Sequence, residues 1–353
     1  MGVGLKSNLH STYIQLTTHL AWQVEARYKT AMQFSSFTPH RWMRNRHLQT
    51  IVPSKWRRLP AVPINRIRYE LDDGDFLDLD VLPSEQGPVV LLVHGLEGSS
   101  QSQYIQAMLW RLHRIHWAGV AMNLRGCSGE LNRTARSYHS GETEDLSRVI
   151  DWIEQHFPQR PIALVGYSLG GSMALNWLAK HATDKRIKAA CAVSVPYELD
   201  RCADVMDQGF ARLYREHFLS QLKDKVARKR KIIEASGHPV DFDAVARARS
   251  FWDFDEHAIA PIHGFDSARH YYEVCSARPK LGDIRHPTLL IHALDDPFMR
   301  PETPPTIDEL PDSVHALMVE KGGHIGFVHH GHQGADFGWL DRQIMRFLKT
   351  RMG

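Results

Sequence analysis

From about residue 64 to the C-terminus, short apolar runs alternate with stretches of helical periodicity, and this alternation constrains the fold more than any other feature of the 353-residue chain. Runs of four to eight residues rich in Val, Ile, Leu and Ala read as strands buried on both faces, and such strands need helices to cover them. The candidates are Val89 to Val93, Val120 to Leu124, Ile162 to Val165, Ala190 to Val195, Thr288 to His292 and Ala316 to Val319. Helical stripes fall between and after them. Leu146, Val149, Ile150, Ile153 and Phe157 form one; Phe337, Leu340, Ile344, Phe347 and Leu348 form the last. The expected class is α/β, a mostly parallel central sheet flanked by helices. Ahead of it, Ile64 to Leu71 and Phe76 to Leu82 flank Asp72-Asp73-Gly74-Asp75, which predicts an antiparallel hairpin at the sheet edge.

Between Pro196 and Pro287 the rhythm breaks for about ninety residues of mixed polar and aromatic helical sequence. An insertion between two strands rises above the carboxyl edge of the sheet, so residues 197–286 are expected to form a helical cap over a ligand site. Neither end has linker composition. The expected organisation is a basic extension over residues 1–35 and one domain over 36–353 that includes the cap.

Ordinary hydrophobic (43%) and charged (24%) fractions exclude a disordered or fibrous chain. The net charge of +3 conceals an asymmetry: residues 1–70 hold eleven Lys/Arg against two acids (+9), leaving 32 against 38 (−6) for the remainder. A basic front can favour anionic surfaces, but a solvated flank folded over an acidic body is the preferred reading. Cys127, Cys191, Cys202 and Cys275 are scattered without a CxxC pair, so neither a disulfide framework nor a zinc site is expected. The first 35 residues contain no 18-residue apolar run and no signal-peptide pattern, and Lys6 stands where a myristoylation motif needs Ser or Thr. The expectation is a cytoplasmic protein without a transmembrane segment, with no nucleic-acid partner and with peripheral membrane contact left open.

Gly166-Tyr167-Ser168-Leu169-Gly170 fits G-x-S-x-G. Alone the match is weak, since three common residues coincide in roughly one chain in ten of this length. Its context makes it specific, because a buried-strand run precedes it and a helical stripe (Leu169, Met173, Ala174, Trp177, Leu178) follows at once. A strand, a tight turn and a helix expose a serine hydroxyl at the sheet edge, so Ser168 is the candidate nucleophile. A serine needs a general base, and the base needs a carboxylate to fix its tautomer. His324 follows the strand Ala316 to Val319 through two glycines, and Asp295 ends the strand before it. The chain order Ser, Asp, His is that of an α/β hydrolase.

Asp296 stands beside Asp295, and the spacing from His292 favours Asp295 as the acid. Asp296 precedes Pro297 and is expected to brace the following turn. Backbone N–H groups of Leu96 and Leu169 are the expected oxyanion donors. His94 and Arg125-Gly126-Cys127-Ser128-Gly129 read as braces of loops near the site. His329, His330 and His332 lack the accompanying Cys or spaced carboxylate of a metal site, so no metal and no cofactor are expected. Lys223 to Lys231, six basic residues and one acid, reads as a solvated helix face rather than a phosphate or membrane contact.

At these residues the chain resembles the YheT-like family of the AB hydrolase superfamily, family four. The strings that carry the likeness are His94-Gly95-Leu96-Glu97-Gly98-Ser99, Arg125 to Gly129, Gly166 to Gly171, Asp295-Asp296-Pro297-Phe298 and Gly322-Gly323-His324. His47-Leu48-Gln49-Thr50 and Tyr138 to Asp145 extend it, so that only the first thirty or so residues lie outside. The resemblance implies an α/β-hydrolase fold, a charge-relay triad at Ser168, Asp295 and His324, and carboxylesterase-like activity. It leaves open an acyl-lipid substrate, since eukaryotic relatives act on lipids. The function expected is hydrolysis of a carboxylic ester through an acyl-serine intermediate. The alternatives are a lipid acyl hydrolase or acyltransferase on the same triad and a binding protein that kept the fold.

Overall fold

The computed structural model describes residues 36–353; the basic extension over 1–35 lies outside the described residues. In chain order the elements that build the sheet and its covers are α1 (Arg46–Trp56), β1 (Asn65–Glu70), β2 (Phe76–Leu82), β3 (Val89–Val93), α2 (Gln103–Arg114), β4 (Ala118–Met122), α3 (Glu144–His156), β5 (Ile162–Tyr167), α4 (Leu169–Lys180) and β6 (Ile187–Val193). A helical block follows: α5 (Leu199–Met206), α6 (Ala211–Arg228), α7 (Arg230–Ala235), α8 (Phe242–Arg247), α9 (Phe251–Phe254), a π-helical turn Asp255–Ile259, α10 (Ala260–His263) and α11 (Ala268–Cys275). The chain then returns to the sheet through β7 (Thr288–Ala293) and β8 (Val314–Val319), forms a small hairpin of β9 (His329–Gly331) and β10 (Gly334–Asp336), and ends in α12 (Trp339–Met352).

The eight strands lie in the order β1-β2-β4-β3-β5-β6-β7-β8. β1 pairs with β2 and β2 with β4 antiparallel; every later neighbour is parallel. The turn between β1 and β2 is where the Asp-rich signal predicts it, with Gly74 at φ +80°. Strand ends move by a few residues from the sequence reading; the strand expected at Val120 to Leu124 is Ala118–Met122. The β9–β10 hairpin has no apolar run to announce it.

Alternate residues of one strand enter opposite cores, as period two requires. Val89, Leu91 and Val93 of β3 join one cluster with Leu164, Met173 and Trp177, while Val90 and Leu92 join the other with Leu109, Trp339 and Phe347. The covering helices thus come from both faces, and the α3 and α12 stripes pack where their periodicity places them, except that Phe337 precedes α12 and joins neither cluster. The helical block has its own core, in which Leu219, Val226, Phe254, Ile262 and Tyr272 meet Ala135 from the sheet domain.

Chain order turns at β3. β4 lies on one side of it and β5 on the other, so the carboxyl ends of β3 and β5 diverge at a switch point, where ligands bind in open α/β sheets. Val93 stands opposite Gly166 in register, so the loop after β3 and the turn after β5 emerge side by side.

Candidate active site

Ser168 sits at the junction of β5 and α4 with φ +53° and ψ −121°, a backbone conformation that side chains rarely adopt. Its N–H donates to Val193 O at 2.8 Å, and its carbonyl accepts from Gly171 and Ser172, which starts the helix. The turn closes only because the glycines lack side chains. A Cβ on Gly166 would stand 2.3 Å from Gly170 O, and one on Gly170 would stand 2.4 Å from His94 O. A Cβ on Gly95 would meet Ser168 Cβ at 2.9 Å, which shows how closely the loop after β3 approaches the serine.

His324 is nearly buried, and its Nδ1 lies 2.7 Å from Oδ2 of Asp296. This corrects the sequence reading, which expects Asp295 to hold the ring. Asp295 turns instead to the loop that carries the histidine and accepts the N–H groups of Gly322 (2.8 Å) and Gly323 (2.9 Å). Burial pushes its carboxyl up despite those two donors. Spacing does not place the acid because β7 ends at Ala293 and the chain turns at once, Asp296 N–H donating to Ala293 O at 3.0 Å. The tight turn sends the second acid inward. Asp296 does brace the following turn, Oδ1 accepting the Phe298 N–H at 2.9 Å, but its other oxygen takes the imidazole. A carboxylate on Nδ1 fixes the proton there and leaves Nε2 as an acceptor. The Phe298 ring lies 4.2 Å from the His324 ring, centroid to centroid, and shields one face of it.

The loop of His324 is fastened from a second side by α1, a role that sequence reasoning missed. His324 N–H donates to Thr50 Oγ1 at 3.0 Å, Val328 N–H to Gln49 Oε1 at 2.6 Å, and Gln49 Nε2 back to Val328 O at 3.1 Å. Gln49 is fully buried. The available signal was the His47-Leu48-Gln49-Thr50 string, which has no chemical motif of its own.

Around Leu96 every neighbouring N–H is taken. Gly95 N–H donates to Tyr104 OH (3.0 Å), Glu97 N–H to Tyr138 OH (3.0 Å) and Gly98 N–H to Gly95 O (3.0 Å). Leu96 N–H has no protein acceptor among the described residues, nor has Leu169 N–H in the first turn of α4, where helix N–H groups lack intrahelical partners. His94 braces this loop. Its Nε2 accepts Leu124 N–H at 3.1 Å, so Nδ1 is the donor to Gly95 O at 2.8 Å, and full burial holds its pKa down to about 4.

Arg125 is buried among three carboxylates, one on α3 and two in the turn between β1 and β2: Asp145 at 2.7 Å, Asp73 at 2.8 Å and Asp75 at 3.0 Å. Burial opposes its charge, but the carboxylates hold the guanidinium above its ordinary range. Removing one partner of such a set costs about 3–5 kcal/mol, because a charge stays buried unpaired.

Ser168, His324, Leu96 and Leu169 all line one cavity of about 840 Å³ between the sheet edge and the helical block. From the block, Leu222, Val226, Phe254, Ile259 and Ile262 give it an apolar wall. Among the aromatics there, Tyr214, Phe218, Phe251, Phe254, Tyr271 and Tyr272 reach the cavity, whereas Phe210 stands half exposed.

The basic run Lys223 to Lys231 departs from its expected solvated face. Lys229 is buried and donates to Asn132 Oδ1 (2.8 Å), Arg136 O (2.9 Å) and Ala135 O (3.2 Å), and burial lowers its pKa to about 8. Lys225 also turns inward, while Arg228 and Arg230 stay outside with Asp224 and Glu234. Helical phase explains the division, since positions four apart share a face. All four cysteines are buried free thiols. Among the described residues no three metal-ligating side chains converge, and no helix is long and apolar enough to cross a membrane.

A sheet with this order, a strained serine at its switch point and a buried acid–imidazole pair define a hydrolase of the α/β-hydrolase class. The chain belongs to the α/β-hydrolase fold family, whose model matches residues 88–330. Within it the chain is 41% identical over 327 residues to the "Putative esterase YheT" of Escherichia coli, covering 91% of this chain and 96% of that protein. It is 27% identical over 327 residues to Phospholipase ABHD3 of Homo sapiens, covering 89% of this chain and 79% of that one. Among solved structures, the Pyrococcus furiosus esterase Pf2001 superposes with a TM-score of 0.52 at 14% identity, over 83% of this chain and 94% of its own, a likeness of fold alone.

Proposed function

We propose that the protein hydrolyses carboxylic esters through an acyl-serine intermediate formed on Ser168, with His324 as general base and acid and Asp296 as its orienting carboxylate. The observation that carries this reading is the 2.7 Å contact of buried Asp296 with Nδ1 of His324, which lines the same cavity as Ser168. With the Nδ1 proton fixed, Nε2 is free to take the serine proton as Oγ attacks the ester carbonyl. The Leu96 and Leu169 N–H groups and the N-terminal end of α4 would receive the oxyanion. The imidazolium, steadied by Asp296, then gives its proton to the leaving alcohol. Water attacks the acyl-serine by the same sequence and releases the acid. No metal or organic cofactor enters these steps.

The apolar wall supplied by the helical block suits an acyl chain, and 840 Å³ is within the size range of small-molecule sites. That wall, with a relative named as a phospholipase, supports a second reading on the same residues, in which the ester belongs to an acyl lipid and the enzyme is a lipid acyl hydrolase or acyltransferase. A cytoplasmic setting and the cap's bounds at 197–286 belong to the same proposal. The test is turnover of p-nitrophenyl acetate by Ser168→Ala. Loss of an activated nucleophile lowers kcat by about a millionfold, with circular dichroism unchanged. Activity within tenfold of wild type would overturn the assignment.

A further inference from the structure

The residue after Leu96 is held in an unusual way. Glu97 has φ +53°, and its side chain is almost wholly buried. Its N–H donates to Tyr138 OH at 3.0 Å, and the same hydroxyl donates back to its Oε1 at 2.5 Å, closing a small ring around a strained backbone. The third party comes from the helical block. Lys225 of α6 places Nζ 2.8 Å from Glu97 Oε1, 3.2 Å from Cys127 Sγ and 5.7 Å from the centre of the Tyr138 ring. Burial disfavours the ammonium there, but the neighbouring thiol and carboxylate more than restore it. A single cation from the cap therefore neutralises a buried carboxylate whose own main chain carries the peptide next to the expected oxyanion donor.

We propose that Lys225 is a positioning residue for catalysis: through Glu97 and Tyr138 it fixes the direction of the Leu96 N–H, so that the cap helix sets the geometry of the oxyanion hole as well as covering the cavity. The inference rests on the reading that Leu96 supplies that donor. Its physical basis is direct. Without the ammonium the Glu97 carboxylate is left buried with an uncompensated charge, and a residue at φ +53° relaxes readily once its side chain turns toward solvent. A donor misdirected in this way fails the transition state more than the bound ester, because the charge it meets appears only on reaction.

The experiment is steady-state hydrolysis of p-nitrophenyl acetate, too short an ester to need the apolar wall. Wild type is compared with Lys225→Met, Lys225→Arg, Tyr138→Phe and the double variant Lys225→Met/Tyr138→Phe. Rates are normalised to the sites that a fluorophosphonate titrates, so that partial unfolding does not count as lost catalysis. The expected result is a kcat about 10–100-fold lower in Lys225→Met and Tyr138→Phe, short of the loss of a whole donor, with KM within threefold. Fluorophosphonate labelling of Ser168 slows in parallel, Lys225→Arg recovers part of the rate, and the double variant is no slower than the worse single one, because both substitutions break one strap.

A Lys225→Met kcat within twofold of wild type, a change confined to KM, or losses that multiply in the double variant would each overturn it. If Lys225→Met does not fold, Tyr138→Phe and Lys225→Arg decide on the same criteria. Ser168→Ala separates the two levels. If it keeps its turnover, the esterase reading falls; if it is dead while Lys225→Met behaves as wild type, only the role of Lys225 falls.

Discussion

At the carboxyl edge of the sheet, side chains are placed by main-chain geometry. Register sets Val93 beside Gly166, the turn after β5 raises Ser168, and the turn after β7 aims Asp296 at His324. In the helical block above, the cavity wall is made by side chains on several helices with a core of their own, and it is tied to the floor by polar contacts, Lys225 to Glu97 and Lys229 to Asn132 and two carbonyls, as well as by apolar ones such as Tyr214 and Phe218 on Phe298. A floor fixed by the backbone tolerates little displacement, which is what the proposed triad would require. A wall of side chains can change its contents without moving the chemistry. On the proposed reading, rate belongs to the floor and selectivity to the wall, with Lys225 as the point where the two would meet.

The sharpest way to break that division is at the paired acids. Asp296→Asn should lower kcat by about 10⁴, as loss of the orienting carboxylate does in other triads. Asp295→Asn, which weakens only the acceptor of the Gly322 and Gly323 N–H groups, should retain activity within about tenfold, near the cost of one hydrogen bond to a charged acceptor. Turnover of both variants on one ester, with their unfolding curves, checks the ranking.

A smaller effect is expected in the wall. Leu222→Trp, at a half-buried position that lines the cavity, should leave acetate hydrolysis near wild type. It should lower kcat/KM for a long-chain ester by roughly tenfold or more, given about 1–3 kcal/mol for a methylene that no longer fits. An unchanged profile from acetyl to palmitoyl esters would take selectivity away from the block.

The smallest effect is one of stability, and its sign differs between the two regions. Buried His94 in the floor, with its pKa held to about 4 against an ordinary 6.5, contributes stability that is full above 6.5 and is lost as pH falls toward 4. Asp255 in the block is the reverse. It is buried with one hydrogen bond, from Tyr272 OH at 2.6 Å, and burial pushes its pKa up to about 7 from 3.8. The protonated form is the one the fold favours, so its contribution is full below 3.8 and is lost as pH rises through 7. Asp255→Asn should therefore raise Tm over wild type by more at pH 8 than at pH 5.5, the difference being about 2 kcal/mol by linkage. Equal shifts at both pH values would show that Asp255 is already ionised in the folded protein at pH 5.5.

Most of the floor was legible in the chain because period-two burial and the glycines of the elbow leave direct marks in sequence. Val89 to Val93 coincides with β3, and the strand–turn–helix around Ser168 is where its pattern places it. The acid was not legible, because Asp295 and Asp296 differ only in which way a turn of two residues points them, and spacing does not encode that direction. Gln49 and Thr50 were invisible as braces because they act across some 270 residues of chain on backbone groups. The inward face of Lys223 to Lys231 was hidden for a related reason. A basic run reads as solvated until partners such as Glu97 and Asn132, about a hundred residues away, are folded against it.

The proposed role of Ser168 as the activated nucleophile of this cavity is open to a single experiment, in which the folded protein is incubated with a fluorophosphonate and the modified peptide is mapped by mass spectrometry. One adduct per chain is expected, on Ser168, slowed at least a hundredfold in His324→Ala because the proposed base is gone. An adduct on another residue, or a Ser168 that stays unlabelled in protein that hydrolyses esters, would contradict it.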